Sequence, residues 1–584
     1  MTQFNKLTMS QRAPSTSNHN TPSTAKTHTF LFGELQTTTS SDPPSPESAS
    51  PTSDFDDARL SANPTEKPVV GLGVGRENGE REFQEQVGRR ASIPVRLEKI
   101  RGKERYRLVM DDELGRLLVS RSVVRGKKRK KKFSDLVFTK RFTAFDRRSP
   151  EAASSPFRGF YTVFWMSVVI LILKLAATSY KEQGRLFGID ILSMMFNPNN
   201  LIDCLLVDAT MFWGSTLWCV PLQKAVAKGR ISWERTGWVL QMVWEAVYLG
   251  AVIEYTLWKD WPWIQTVFVV LHCLVMLMKQ HSYAFYNGHL SGVCGRLRSL
   301  ERKLVELRAL DTIEDFERAI MEEVAACNGE LSSYVEDNDG PKVVYPQNLT
   351  WWNYFEYIHF PTVVYELVYP RTTTINWPYV LEKTTATFGV LGIMIVVSQH
   401  LILPVVLQTH TLRLLPLSSR LQAFPYILLD LIFPFMIEYL MAWYLIWELI
   451  LNALAELTFF ADRGFYGPWW NSTTWDAFAR DWNKPVHNFL LRHVYHSSIS
   501  TWHVSRGTAT VITFLLSAIV HELVMWSLFK RLRGYLLVAQ MLQVPLVYAS
   551  RTKLLKGRET LGNVIFWLGI YTGPSFLCSL YLII

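Results

Sequence analysis

The chain has 584 residues, 48% of them hydrophobic and 13% aromatic, with a formal net charge of +10. Apolar residues are sparse before Phe157 and crowded after it, which excludes an ordinary soluble domain from the C-terminal part and calls for membrane spans. Six cysteines, none in a C-x-x-C pair, read as small core residues rather than a disulfide framework or a zinc site.

Residues 1–155 form a mostly disordered, basic tail. Stretches such as 37–51, rich in Ser, Thr and Pro, bury too little apolar surface to offset the entropy of ordering. Near its end, Arg125 and the unbroken basic run 127–132 precede the first span. Basic flanks stay cytoplasmic, so the N-terminus is expected in the cytosol, with no nucleic acid as partner. Contact with lipid headgroups and a merely solvated charge run stand at even odds for this stretch. Residues 133–142 could be an amphipathic piece lying on the bilayer. No cleaved signal peptide is expected, so the first span would act as the insertion signal.

A span needs about 20 mostly apolar residues. About nine candidates follow, at 160–180, 201–222, 236–257, 262–279, 384–408, 424–452, 508–529, 535–550 and 561–583, and the sixth is expected to tilt or break at Pro434. Residues 353–368 are too short and polar to span and are expected to re-enter or lie in the interface. The spacing of Leu297, Leu300, Leu304 and Leu307 predicts a surface helix. The stretch 460–507, rich in Trp, His, Asn and Arg, is where chemistry is expected.

Within the seventh candidate, His521 precedes Glu522. An ionisable group inside a span is costly and faces a cavity or a partner, and a neutral imidazole moves protons near neutral pH. Ser517, four residues earlier, shares the face of His521, whereas Glu522 points about 100° away and should pair with another helix. Catalysis and a hydrogen-bonded structural histidine remain equally open on these grounds. In the preceding loop, Phe465, Tyr466, Trp469, Trp470 and Asn471 are followed by Arg480, Asn483 and His487. If helical, the last three would line one stripe, although Pro485 marks a helix start or kink. The rings could pack on an adenine or an acyl chain, but a belt at the membrane surface is favoured by composition. His281 to Asn287 reads as the amphipathic end of the fourth span. The sequons at Asn348 and Asn471 read as chance matches. Glu245 and Glu254, nine residues apart, are taken as sharing a face and, with His521, could form an ion pathway.

Together these motifs resemble the membrane-bound O-acyltransferase superfamily, in the branch of sterol and diacylglycerol O-acyltransferases, over residues 130–584. The family block F-Y-x-D-W-W-N matches Phe465 to Asn471, W-N-x-x-V-H matches Trp482 to His487, and the buried His-Glu pair matches His521 and Glu522. The stretch 281–287 resembles the sterol enzymes more than the diacylglycerol ones, and 490–497 and 562–569 look like the fungal sterol enzymes in particular. One departure is Pro468, where the family usually has Asp, so any role of that carboxylate is lost.

The resemblance implies an all-α polytopic membrane protein, its helices bundled around a reaction tunnel in an O-acyltransferase domain over 156–584. It implies His521 as catalytic base, Asn483 beside it at the thioester, and Arg480, His487, Tyr495, Arg506 and Ser517 along the acyl-CoA channel. The partners implied are long-chain acyl-CoA, a sterol such as ergosterol, membrane lipids and one or three further copies of the chain, in the endoplasmic reticulum. No metal and no cofactor are implied, acyl-CoA being a co-substrate. A diacylglycerol acceptor and a non-catalytic lipid transporter or scaffold are the competing readings.

Overall fold

The computed structural model describes residues 138–583, apart from 147, 150, 151, 153, 156, 157, 185–189, 309–313, 335–341, 551, 553, 554 and 556, together with two short paired strands. The strands are β1 (Arg96–Lys99) and β2 (Tyr106–Val109). The tail predicted over 1–155, with its basic run, lies mainly outside the described residues.

From residue 158 onward the chain is helical. In order come α1 (Arg158–Gln183), α2 (Asp190–Met195), α3 (Leu201–Ala227), α4 (Trp238–Lys259), α5 (Trp263–Arg308) and α6 (Glu314–Leu331). A small antiparallel pair, β3 (Ser332–Tyr334) and β4 (Lys342–Val344), follows with Ser333 opposite Val343. Then come α7 (Trp351–His359), α8 (Trp377–Val397), α9 (Leu403–Leu412), α10 (Leu417–Trp443) and α11 (Leu451–Leu457). The last group is α12 (Trp475–Asp481), α13 (Lys484–Phe489), α14 (Ser497–Trp502), α15 (Arg506–Phe529), α16 (Tyr535–Met541), α17 (Gln543–Ser550) and α18 (Glu559–Ile583).

Among the described residues, eight helical segments are long and apolar enough to cross a bilayer. The ninth predicted segment forms the shorter apolar pair α16 and α17, separated at Leu542. Its 16 residues would rise only about 24 Å as one helix, short of the ~30 Å hydrocarbon core. Large apolar side chains such as Phe160, Ile202, Phe388 and Leu429 point outward, as lipid rather than water requires.

Helix α5 is the axis of the bundle: α3, α4, α6 and α15 all pack on it. Half of its apolar window is buried inside the protein. It does not stop at Asn287 as expected. The helix runs on through the surface stretch, where Leu300 is buried against Ile320 and Cys327 with Leu297 and Leu304 alongside, so the two predicted elements are one helix of 46 residues. Gly288 lets the chain approach Trp233 closely, since a Cβ there would come within 2.1 Å of the indole.

The sixth span does not break at Pro434, which α10 carries in its interior. The regular helix yields later, in a π turn over Tyr444–Ile450. Phe138 to Phe142, the described part of the amphipathic piece expected on the bilayer, is not helical. Arg141 is bridged to Asp462, its Nε donates to that carboxylate at 2.5 Å, and Phe138 meets the rings of Tyr369 and Phe460. Ion pairing and ring packing hold this stretch against the loop instead of on lipid.

The region 351–376 does not span. After α7 it becomes extended chain whose Val364, Tyr365 and Leu367 are buried. Non-helical backbone at this depth needs donors from the protein itself, and α5 supplies them. Lys279 Nζ donates to the carbonyls of Tyr357 at 3.2 Å, Phe360 at 2.6 Å and Thr362 at 2.7 Å. Lys279→Met should take a donor from all three carbonyls and leave that of Thr362 with none, while Tyr357 and Phe360 keep the backbone N–H groups of Phe360 and Thr362 at 3.1 and 2.8 Å. At roughly 1 kcal/mol or more for each buried group, the loss should appear as a clear fall in the thermal unfolding midpoint in detergent.

Candidate active site

Ser505 caps α15 by accepting the N–H of Thr508 at 3.1 Å. Its apolar run then carries Ile512, Leu516, Ser517, Val520, His521 and Val524 along one side of a cavity of about 2640 Å³. Helix α5 adds His281 and Phe285 to the lining, and α13 with the turns after it adds Asn483 and Phe489. Ser517 and His521 therefore share a face, as their spacing requires.

His521 Nδ1 lies 2.7 Å from the Ser517 carbonyl and 3.5 Å from its hydroxyl. A carbonyl only accepts, so Nδ1 carries the proton and Nε2 is left with a lone pair. Glu522 points elsewhere. Its carboxylate accepts the N–H groups of Gly534, Leu536 and Leu537 at 2.6–3.1 Å and the hydroxyl of Tyr581 at 3.2 Å. The expected partner of Glu522 on another helix is the start of α16 with the end of α18.

Asn483 is the N-cap of α13, its side-chain oxygen accepting the N–H of Val486 at 3.2 Å. That bond fixes the amide so that Nδ2–H₂ remains a donor. The stripe of Arg480, Asn483 and His487 does not form. Arg480 belongs to α12, which ends at Asp481, and His487 to α13, with Asn483 in non-helical conformation between them; Pro485 at the start of α13 is the cause. Arg480 is exposed beside Asp476 at 3.4 Å. Burial, and then the charge of Arg480, hold the half-buried His487 below the usual imidazole range. Of the five residues expected along the acyl-CoA channel, Ser517 lines this cavity, whereas Arg480, His487, Tyr495 and Arg506 stand outside its walls. Tyr495 meets the ring of His496, and Arg506 opens α15.

Most of the aromatic block is internal and does not form a surface belt. Phe465, Tyr466 and Trp469 are buried, and Trp469 is ringed by Trp443, Phe478, Trp482 and Trp567. Tyr466 donates to Glu448 at 2.7 Å. The exposed Asn471 closes a turn by donating its N–H to the Pro468 carbonyl at 3.0 Å, which Pro468 suits at φ −75°. The last helix clamps this loop. Asn563 Nδ2 donates to the carbonyls of Trp470 and Ser472, both at 3.0 Å, and Trp567 Nε1 to that of Trp470 at 3.1 Å. At Gly562 a Cβ would lie 2.7 Å from the Thr473 carbonyl oxygen. The block is thus scaffold for the turn that presents Asn483.

Sequence reasoning passed over a second polar group on the cavity wall. His281 Nδ1 meets Glu245 at 3.0 Å and its ring stacks on Phe285. Ser282 accepts the Tyr365 N–H at 2.8 Å and lies 2.9 Å from His493 Nε2. Arg492 pairs with Glu366 and donates to the Tyr365 carbonyl at 3.0 Å. The signal was the run 281–287, whose His281, Ser282 and Asn287 reach Glu245, Tyr365, His493 and Asn348. Glu245 and Glu254 do not share a face. Nine residues make two and a half turns, and Glu245 is buried while Glu254 is exposed. Asn348 is buried, donating to Asn287 at 2.8 Å and Tyr365 at 3.0 Å.

A model of the membrane-bound O-acyltransferase family matches residues 157–583. Sterol O-acyltransferase 2 of Candida albicans is 40% identical over 488 residues, 77% of this chain and 79% of that one. Sterol O-acyltransferase 2 of Saccharomyces cerevisiae is 40% identical over 439 residues, 74% and 67% of the two chains. The probable sterol O-acyltransferase 1 of Schizosaccharomyces pombe is 36% identical over 476 residues, 78% and 87% of the two.

Burial, followed by His281 and Arg492, holds His493 well below the usual imidazole range. The unfolded chain then binds this proton more readily than the folded one, so the contribution to stability is complete above pH ~6.5 and falls as the pH drops below it. A plot of unfolding midpoint against pH should show that decline, and His493→Gln should flatten it.

Proposed function

We propose that this chain, which belongs to the membrane-bound O-acyltransferase family, esterifies the 3β-hydroxyl of a sterol with a fatty acyl group taken from acyl-CoA. The observation that carries the mechanism is that the free Nε2 face of His521 and the amide of Asn483 open on one cavity. The relatives named as sterol O-acyltransferases support the acceptor, and their fungal sources make ergosterol the first sterol to test.

His521 Nε2 takes the hydroxyl proton as the sterol oxygen attacks the thioester carbonyl. The Ser517 carbonyl holds the opposite ring proton, so the imidazolium formed keeps its orientation. Asn483 Nδ2 donates to the oxygen of the tetrahedral intermediate. Collapse breaks the carbon–sulfur bond, and the proton on Nε2 passes to the departing CoA thiolate. The products are a steryl ester and CoA, and no bound cofactor enters the reaction. Family resemblance further supports Arg480, His487, Tyr495 and Arg506 as contacts for CoA beyond the cavity, an endoplasmic reticulum membrane with the N-terminus in the cytosol, and assembly as dimers or dimers of dimers.

The test is esterification in membranes from cells without their own acyltransferases, given labelled oleoyl-CoA and ergosterol, cholesterol or diacylglycerol. Label should enter steryl ester and fall by about 10²–10⁴-fold in His521→Ala. Label in triacylglycerol alone would overturn the acceptor, and no label in any ester from folded protein would favour a transporter or scaffold.

Two finer variants probe the geometry. Asn483→Asp keeps an oxygen to cap α13 but removes the amide donor, so kcat should drop by about 10²-fold or more while the unfolding midpoint holds. Ser517→Ala leaves the backbone carbonyl that orients His521, so its rate should stay within about tenfold of wild type, in line with loss of one neutral hydrogen bond.

A further inference from the structure

At the end of the bundle remote from the Asn483 loop, four arginines gather around the last turn of α18. That helix starts against the loop, where Asn563 holds Trp470 and Ser472. The 20 residues from Asn563 to Ile583 then carry it about 30 Å away, to the other side of a bilayer core. There Arg413 donates to the Tyr581 carbonyl at 2.6 Å and Arg533 to the same oxygen at 3.1 Å. Arg420 donates to the Ile583 carbonyl at 3.1 Å. Arg531 sits two residues from Arg533, in a turn fixed by the hydrogen bonds of Glu522 to Gly534, Leu536 and Leu537.

Two like-charged guanidiniums meeting on one neutral oxygen repel each other. Burial, and then the charges of Arg533, Arg531 and Arg420, hold Arg413 below the usual guanidinium range. The nearby carboxylates do not balance this charge. Glu522 is buried and occupied by the N–H groups and the Tyr581 hydroxyl, and Asp260 pairs with Lys530. The C-terminus of a helix contributes only about half a negative charge. Arg420 Nε is also buried without a hydrogen-bond partner. Among the described residues, no carboxylate pairs with any of the four arginines.

The surroundings indicate the kind of anion the cluster would take. Leu414, next to Arg413, is 83% exposed, and Leu532, between Arg531 and Arg533, is 72% exposed. Guanidiniums interleaved with outward leucines, at the end of apolar spans, match a ligand with a charged head and hydrocarbon tails. Planar guanidinium forks pair with phosphate oxygens two at a time. We propose that Arg413, Arg420, Arg531 and Arg533 form a binding site for the phosphate of an anionic phospholipid, in the leaflet opposite the loop that carries Asn483.

The full-length protein, purified and reconstituted, provides the test. Its unfolding midpoint is compared in phosphatidylcholine vesicles with and without phosphatidylglycerol, and in neutral micelles with inorganic phosphate. Arg531→Gln touches no carbonyl contact and should fold normally, and Arg413→Gln is the second variant. The expected result is a rise with phosphatidylglycerol and little response to free phosphate, with lipid affinity falling roughly fivefold for each arginine removed, the equivalent of ~1 kcal/mol per charge near a lipid surface. An equal midpoint with and without phosphatidylglycerol, or an unchanged response in Arg531→Gln, would overturn the site. A rise with inorganic phosphate as large as with the lipid would overturn the lipid as its ligand.

Discussion

Lys279 meets three main-chain carbonyls of a segment that leaves the helix while still surrounded by apolar spans. Water cannot satisfy backbone groups at such depth, so the protein must. Once Tyr357, Phe360 and Thr362 are held, Tyr365 and Glu366 stand where Ser282 and Arg492 reach them. Those contacts in turn bring the turns after α13 against α5. The cavity lining of His281, Phe489 and His493 follows from this chain of contacts.

A second frame holds the other half of the site. Asn563 and Trp567 on the last helix carry the loop carbonyls of Trp470 and Ser472, while Tyr466 ties the loop to Glu448 on the π turn after α10. Both frames use side chains of spanning helices to satisfy irregular backbone. Neither frame rests on His521 or Asn483. His521 rests on its own helix through the Ser517 carbonyl, and Asn483 on its own helix through Val486. Such short-range support fixes the orientation of each group at the cavity independently of the other.

Adjacent residues His521 and Glu522 show how one helix serves two purposes. The histidine faces the cavity, and the glutamate, about 100° away, anchors the turn into α16. That turn carries Arg531 and Arg533 to the far end of the bundle. The cavity face on one side of α15 and the charge cluster beyond its end thus depend on the same helix.

Much of this was legible in the chain itself. Apolar runs of about 20 residues located eight long helices because a bilayer imposes a length. A spacing of four placed Ser517 and His521 together because a helix turns at a fixed rate. The order of Phe465, Asn483 and His521 pointed to the family. Helix geometry also undid one reading, since nine residues set Glu245 and Glu254 on opposite sides. Other features depended on contacts between residues far apart in sequence. The long α5 runs past Asn287 because α6 covers its later leucines. The block around Trp469 is core because Trp443 and Trp567 surround it. Arg480 and His487 part company because Asn483 caps a new helix between them. The convergence of Arg413, Arg420 and Arg533 on the final turn of α18 has no local pattern at all. Length and periodicity are properties of one segment and survive in sequence, whereas burial and charge crowding are decided by which segments meet.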